Sequence, residues 1–279
     1  MPSIEKQKKP RVFNPIFVYG RRELLQIDLA DVSRLANYNG GVKYLLTAID
    51  TFSRKAWVVP LKNKTATLVL TAFQSLLEAL GPSPQKLLCD QGKEFKNEAF
   101  KRLLDRENIK MIHLYSDQKA AHVERFNGTL KRLVYSYMTL AKSKRYIDVL
   151  HKLLQTYNSR IHRSIGMSPN QADLPSNRTR VLEAVMNHYN KIRRKRKKPV
   201  FSVGDVVYVQ KAKKAFKRGY EETFRGEPFT VHRIDTGKII PLYFLRDEDG
   251  EDVEGGWYAE ELQLAPDNDR AAGAAGAAQ

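Results

Sequence analysis

Residues 24–62 hold three β-like runs joined by short polar turns. LLQIDLADV (24–32), KYLLTAID (43–50) and KAWVVPLK (55–62) are rich in aliphatic, branched and aromatic residues, the composition of strands. Asn39-Gly40-Gly41 marks a turn ahead of the second run, and Asp50-Thr51-Phe52-Ser53 a tight connection before the third. Such links predict an antiparallel meander. The text then changes period. A helix from Thr65 to about Leu80 carries Leu68, Phe73, Leu76, Leu77 and Leu80 on one side and stops at Gly81-Pro82. QKLLCD (85–90) is a short buried strand ending at Asp90. Asn97 caps a helix to about Glu107, and IKMIHL (109–114) is a fifth strand. Three antiparallel strands followed by β-α-β-α units predict an α/β layer fold around a mixed sheet flanked by helices.

The stretch LYSDQKAAHVERFNGTLKRLVYSYMT (114–139) opens as a polar loop and becomes an amphipathic helix. Val123, Phe126, Leu130, Leu133, Val134 and Tyr137 recur at helical spacing and predict a buried stripe. Glu124, Asn127 and Lys131 share the face beside it, because positions three and four apart are neighbours on a helix. A further helix is expected near 145–160.

Charge is unevenly spread. The chain has a formal net charge of +17, and residues 176–198 hold nine Lys/Arg against one acid, seven of them within 191–198. Residues 199–279 hold ten Lys/Arg against fifteen acids. A basic front and an acidic end imply a polyanionic partner, nucleic acid first among them. The run Lys191, Arg193, Arg194, Lys195, Arg196, Lys197 and Lys198 closes a helical connector (176–199) and reads as a phosphate-contacting segment. A solvated face or a localisation signal is the blander alternative. Cys89 is the only cysteine, which excludes an internal disulfide, and with six scattered His argues against structural zinc. No apolar run approaches the ~20 residues of a membrane span, and the first residues lack a signal-peptide core, so the chain is expected inside the cell.

From Phe201 the pattern shifts to short strands, FSVGDVVYVQ, FTVHRI, IIPLYFLRD and GGWYAEELQL, which suggests a small β-barrel over 200–265. Tyr208, Phe229, Tyr243, Trp257 and Tyr258 could cage a methylated lysine, although that spacing is more often barrel core. Lys211, Lys213, Lys214, Lys217 and Arg218 could form a basic rim. Residues 1–20 read as a basic arm and 266–279 as a low-complexity tail.

Asp28 stands between Ile27 and Leu29 in the first strand, where an ionised carboxylate needs a cation or donor. Asp90 ends a strand expected beside it, and Glu124 opens the helix after the fifth strand. Three such acids converging at one sheet edge would make an oxygen-rich site for hard divalent cations. Two Mg²⁺ there could assist in-line displacement at a phosphodiester. Spacing alone leaves Asp31, Asp50, Glu94 and Asp117 as competing acids, with Asp50 better read as a turn residue and Glu94 as a loop contact.

QIDLADV (26–32), KYLLTAIDTFSRKAWVVPLKNKTA (43–66), DQGKEF (90–95), KAAHVERFNGTLK (119–131) and YNSRIHRSIGMSPNQA (157–172) together resemble the DDE integrases of retroviruses and LTR retrotransposons. The nearest likeness is to the Polinton/Maverick transposon integrases. This resemblance implies an RNase H-like catalytic core over 21–175, with catalytic and metal-binding Asp28, Asp90 and Glu124, and two Mg²⁺ or Mn²⁺ per site. It also implies 3′-end processing and strand transfer of double-stranded DNA, a homo-oligomer, and a nuclear location. Lys119 lies in the matched segment as a further DNA contact, and Asn127 and Lys131 would approach donor DNA. FSVGDVVYV, FKRGY (216–220) and YAEELQL (258–264) are similar to the chromo-like or SH3-like terminal domain of the same integrases, with chromatin contact as its implied use. Between Asp90 and Glu124 lie 33 residues, against 35 in the retroviral pattern, which fits a shortened loop. His122 stands where many relatives carry an apolar residue, and the N-terminal His₂Cys₂ zinc module usual in integrases is not in this sequence, either trimmed from it or dispensed with by the protein. A non-catalytic, domesticated DNA-binding protein and a plain RNase H-type nuclease are the competing readings.

Overall fold

The computed structural model describes Asn14 and residues 16–89, 92–113, 120–193, 198–210, 224–253 and 255–266. Among these the chain divides into two compact units. One runs from Phe17 to His188, and the other comprises Asn14, Ile16 and the residues from Tyr189 onward.

In the first unit, β1 (Leu24–Asp31), β2 (Tyr44–Asp50) and β3 (Ala56–Leu61) form the expected meander. Then come α1 (Ala66–Leu80), β4 (Lys86–Cys89), α2 (Glu98–Arg106), β5 (Lys110–His113), α3 (Ala121–Leu140), α4 (Leu150–Ser159) and the single turn α5 (Pro169–Ala172); α6 (Arg178–Arg193) starts here. The sheet order is β3-β2-β1-β4-β5. β4 runs parallel to β1, with Gln26 against Leu88, and parallel to β5. This is the mixed sheet flanked by helices that the sequence predicts. Short elements were missed, α5 and three 3-10 turns; the longest of these turns, Ser33–Tyr38, lies in the β1–β2 connection before Gly40 and Gly41 reverse the chain at φ of +63° and +80°.

Alternation along β1 divides its residues between two environments. Leu25 and Ile27, with Leu46 and Ala48 of β2, face a hydrocarbon core shared with Phe73 and Leu76 of α1 and Phe100 of α2. The Phe100 ring lies 5.1 Å from Phe73 and 5.6 Å from Phe95, and burying such a side chain contributes roughly 1.5–3 kcal/mol. The Asn97 side chain accepts from Phe100 N and caps α2 as expected. Gln26, Asp28 and Ala30 take the other face, where α3 packs on β1 and β2. Of the expected α3 stripe, Val123, Phe126, Leu130 and Val134 are buried, and Leu133 and Tyr137 are half-buried.

A buried ionic knot closes this unit. Arg22, at φ +63°, donates through Nη1 and Nη2 to the Asp173 carboxylate at 2.9 and 3.3 Å, and through Nη2 to Leu80 O at 3.0 Å. Lys55 Nζ reaches Asp173 at 2.7 Å. Asp50 sits 3.6 Å from Arg22 and accepts from the amide and hydroxyl of Ser53, so the turn residue of the sequence is a fully buried anchor. Burial pushes its carboxyl upward, against Ser53 and Arg22.

The second unit contains β6 (Val206–Gln210), β7 (Phe224–Asp235), β8 (Leu242–Arg246) and β9 (Leu262–Leu264), antiparallel in the order β8-β7-β6-β9. Val207, Val231, Tyr243, Leu245 and Leu262 make its core. Phe229 and Tyr243 are buried in that interior and Tyr258 in a second cluster with Ile239, Ile240 and Leu242, so these three serve as core; Tyr208 and Trp257 are half-buried. Asn14 is clamped to this unit. Its Nδ2 donates to Ile240 O at 2.9 Å, its Oδ1 accepts from Ile240 N at 3.0 Å, and its backbone N donates to the Tyr258 hydroxyl at 3.0 Å. The suggested rim of Lys211, Lys213, Lys214, Lys217 and Arg218 lies outside the described residues. No described helix is long and apolar enough to cross a membrane.

Candidate active site

Asp28 escapes the apolar environment of its sequence neighbours because Ile27 and Leu29 point to the opposite face. On its own face it finds a donor: Asn127 Nδ2 of α3 bonds to Asp28 Oδ2 at 2.8 Å, and Leu29 N donates to Asp28 Oδ1 at 2.8 Å. Two residues earlier on the same face, Gln26 is fully buried, and its Oε1 accepts from His122 N at 3.0 Å and Val123 N at 3.3 Å. Gln26 therefore caps the start of α3, whose own preceding residue, Ala120, offers no side-chain acceptor. The helix is thus tied to β1 at two levels, and Glu124 lies on the turn between the ties. Glu124 itself is exposed.

The other expected site residues fall as follows. Asp90 and Lys119 lie outside the described residues, as do Arg194, Lys195, Arg196 and Lys197. Asn127 is only 8% exposed, and its amide nitrogen donates to the Asp28 carboxylate. Lys131 is exposed one turn further on. Lys191 and Lys198 are exposed, and Arg193 closes α6. Among the competing acids, Asp31 caps a local turn, and hydrogen bonds from Ser33 hold its carboxyl below the ordinary carboxylate range. Glu94 belongs to the loop before α2, with its carboxylate beside Gly92; Asp117 is outside the described residues. Among the described residues no three His, Cys, Asp or Glu side chains form a metal cage. The donors that are described, a strand aspartate and a helix glutamate, are the hard oxygen type suited to Mg²⁺ or Mn²⁺.

Sequence reasoning missed two features. Gln26 reads as an ordinary polar strand residue, and only its i, i+2 relation to Asp28 hinted at a shared task. The second is a group of basic side chains at the start of α3. Burial and the neighbouring Arg125 bring the Arg54 guanidinium down to about 10. Burial, with Arg54 and Arg125 nearby, holds the His122 imidazole well below its usual value. Arg125, directly after Glu124, makes this end of the helix cationic.

Residues 19–116 match the integrase core domain family. A transposon-derived protein of Caenorhabditis elegans is 33% identical over 228 residues, 77% of this chain and 76% of that protein. The chain belongs to the integrase core domain family. The Gag-Pol polyprotein of Avian reticuloendotheliosis virus is 30% identical over 107 residues, which make up 37% of this chain and 9% of the polyprotein. A chain in the cryo-EM structure of the simian T-cell lymphotropic virus intasome, in complex with the PP2A regulatory subunit B56 gamma, shares the fold. Its TM-score is 0.60 at 17% identity, over 93% of this chain and 86% of that one.

Proposed function

We propose that this chain is a polynucleotidyl transferase that trims the 3′ ends of an element's DNA and joins them to target DNA. The observation that carries the reading is the double tie between β1 and α3, which sets the Glu124 turn against the strand that bears Asp28. Gln26 pairs with Leu88 in the parallel register, and Asp28 and Asp90 each follow two residues later in the sequence. Divalent ions, two Mg²⁺ or Mn²⁺, would be held by Asp28, Asp90 and Glu124 and would supply charge stabilisation at phosphorus. Asn127 fixes the orientation of the Asp28 carboxylate, and Gln26 fixes the axial position of Glu124. Arg54, Arg125 and Lys131 offset phosphate charge around that turn, and Lys119, Lys191 and the run from Arg193 to Lys198 extend the basic track along DNA.

In this reading residues 21–175 are the catalytic core and 176–199 a basic connector. Residues 200–265 form an SH3-like or chromo-like barrel that contacts chromatin, and the protein works as a homo-oligomer in the nucleus. The affinity with Polinton/Maverick integrases belongs to the same proposal.

The test is strand joining with blunt and pre-trimmed DNA ends in Mg²⁺. Wild type is expected to give joined product. Asp28→Asn and Glu124→Gln each reduce it by at least about a thousandfold, as removing a member of a catalytic unit does. Equal yields from wild type and Glu124→Gln would leave a DNA-binding architectural protein instead, and cleavage without joining would leave a nuclease. Replacing Lys195, Arg196 and Lys197 with Ala is expected to weaken DNA binding for all sequences and flatten its salt dependence.

A further inference from the structure

Asn14 stands ahead of the first unit in sequence, yet its bonds go to the second unit, to Ile240, 226 residues on, and to Tyr258, 244 residues on. Ile240 lies in the connection from β7 to β8, beyond a ladder whose last pair is Asp235 with Leu242. It is only 3% exposed. Buried main-chain groups beyond a ladder need partners of another kind. Both come from one side chain: Asn14 Nδ2 donates to Ile240 O at 2.9 Å, and Asn14 Oδ1 accepts from Ile240 N at 3.0 Å. Beneath them Ile239, Ile240, Leu242 and Tyr258 form a buried cluster, with Tyr189 and Phe244 packed against it.

An amide side chain carries a donor and an acceptor arranged as in a peptide group, so Asn14 exchanges two bonds with Ile240 as one strand residue does with another. Ile240 N can only donate, which fixes the orientation of the amide. An aspartate here would set a second acceptor against Ile240 O, and a leucine of the same shape would offer neither bond. The backbone N of Asn14 adds a third bond, 3.0 Å to the hydroxyl of the fully buried Tyr258. Pro15 comes next in the sequence, and a residue before proline is biased to extended backbone, so part of the ordering cost of docking is already met.

We infer that the second unit carries a docking site for a short extended peptide that presents an asparagine, and that the segment around Asn14 of the same chain is its occupant. The site reads the residue type at position 14 through the main chain of Ile240 and the Tyr258 hydroxyl, and not through charge. Phe17 begins the first unit, so an occupied site fastens the start of that unit to the second, in addition to the chain's own passage from His188 to Tyr189. The segment is thus a strap that can be released and refastened. Tethering holds it at an effective concentration of about a millimolar, so a free peptide of the same sequence competes poorly until the strap is removed. The inference uses neither DNA nor metal and stands apart from the proposed function.

The experiment titrates the full chain into a fluorescein-labelled peptide of residues 8–18, KKPRVFNPIFV, and follows anisotropy. Asn14→Leu in the full chain vacates the site without changing charge. That variant should bind the peptide at least about tenfold more tightly than wild type, whose own segment competes. Peptides with Leu or Asp at position 14 should bind the same variant about tenfold more weakly, the loss of two hydrogen bonds. Equal affinity of wild type and Asn14→Leu for the peptide, equal binding of the Leu and Asn peptides, or no binding to the vacated chain would each overturn the inference. Should Asn14→Leu fail to fold, hydrogen exchange carries the test. Tyr258→Phe removes one bond to the strap and should quicken exchange of the Ile240 amide roughly fivefold; an unchanged rate would overturn the site. A wild-type dimer that Asn14→Leu converts to monomer would place the segment in a second copy and overturn its assignment to the same chain.

Discussion

On one side of β1, Leu25 and Ile27 disappear into hydrocarbon beneath α1 and α2; on the other, Gln26 and Asp28 are hydrogen-bonded to α3. Both sides cover the same strand, yet they do different work. The apolar side is tolerant in direction: dispersion and water exclusion need volume to be filled but do not care which atom meets which. The polar side is directional. Two bonds at Gln26 and one at Asp28 fix both the height and the roll of α3, which a greasy contact of equal area would leave free to slide. The second unit offers a parallel case, where Asn14 meets Ile240 with both ends of one amide.

The largest effect should come from the apolar side. Phe100→Ala is expected to cost about 3–5 kcal/mol, read as a lower urea midpoint. A loss below ~1 kcal/mol would mean that side is not the main source of stability. Gln26→Leu comes next. It keeps volume but leaves the His122 and Val123 amides without their acceptor, at about 1–3 kcal/mol. Its sharper signature is joining activity that falls under conditions where the variant remains fully folded. If activity tracked only the folded fraction, the polar tie would be ordinary structure.

The smallest effect concerns pH. The Tyr157 ring of α4 sits 4.7 Å from Phe126 of α3 and 4.7 Å from His162, so this chain of rings belongs to the α3 side. Burial holds the His162 imidazole below its usual value, with Arg54 and Arg160 adding to the effect. As pH falls below about 6.5, the unfolded chain takes up that proton before the folded one does. Stability therefore declines on acidification and is retained above that pH. His162→Asn should flatten this part of a melting-temperature profile, and an unaltered profile would assign the sensitivity elsewhere.

Much of this architecture was legible beforehand, and the reasons are local. Period-two runs announce strands, and Asn97 three residues before Phe100 announces a cap. The ends of β1 to β5, α1 and α2, and the C-terminal end of α3, fall within a residue or two of the sequence reading. Asp28 was recognisable because a carboxylate between Ile27 and Leu29 needed a partner. What could not be read was the identity of partners far along the chain. Nothing near Arg22 points to Asp173, 151 residues away; nothing near Gln26 points to His122, 96 residues on. Asn127 is a third case: helical spacing puts it on the face of Glu124, and only the folded chain shows that its amide goes to Asp28, 99 residues earlier.

The Gln26 cap has one further consequence. It grips the main chain of residues 122 and 123, so the strand takes no account of which side chain position 122 bears. An imidazole there leaves the anchorage of Glu124 intact, and a substitution to an apolar side chain would leave the same two amides in the same grip. Invariance of the helix setting and drift in its first-turn vocabulary can therefore coexist one residue apart.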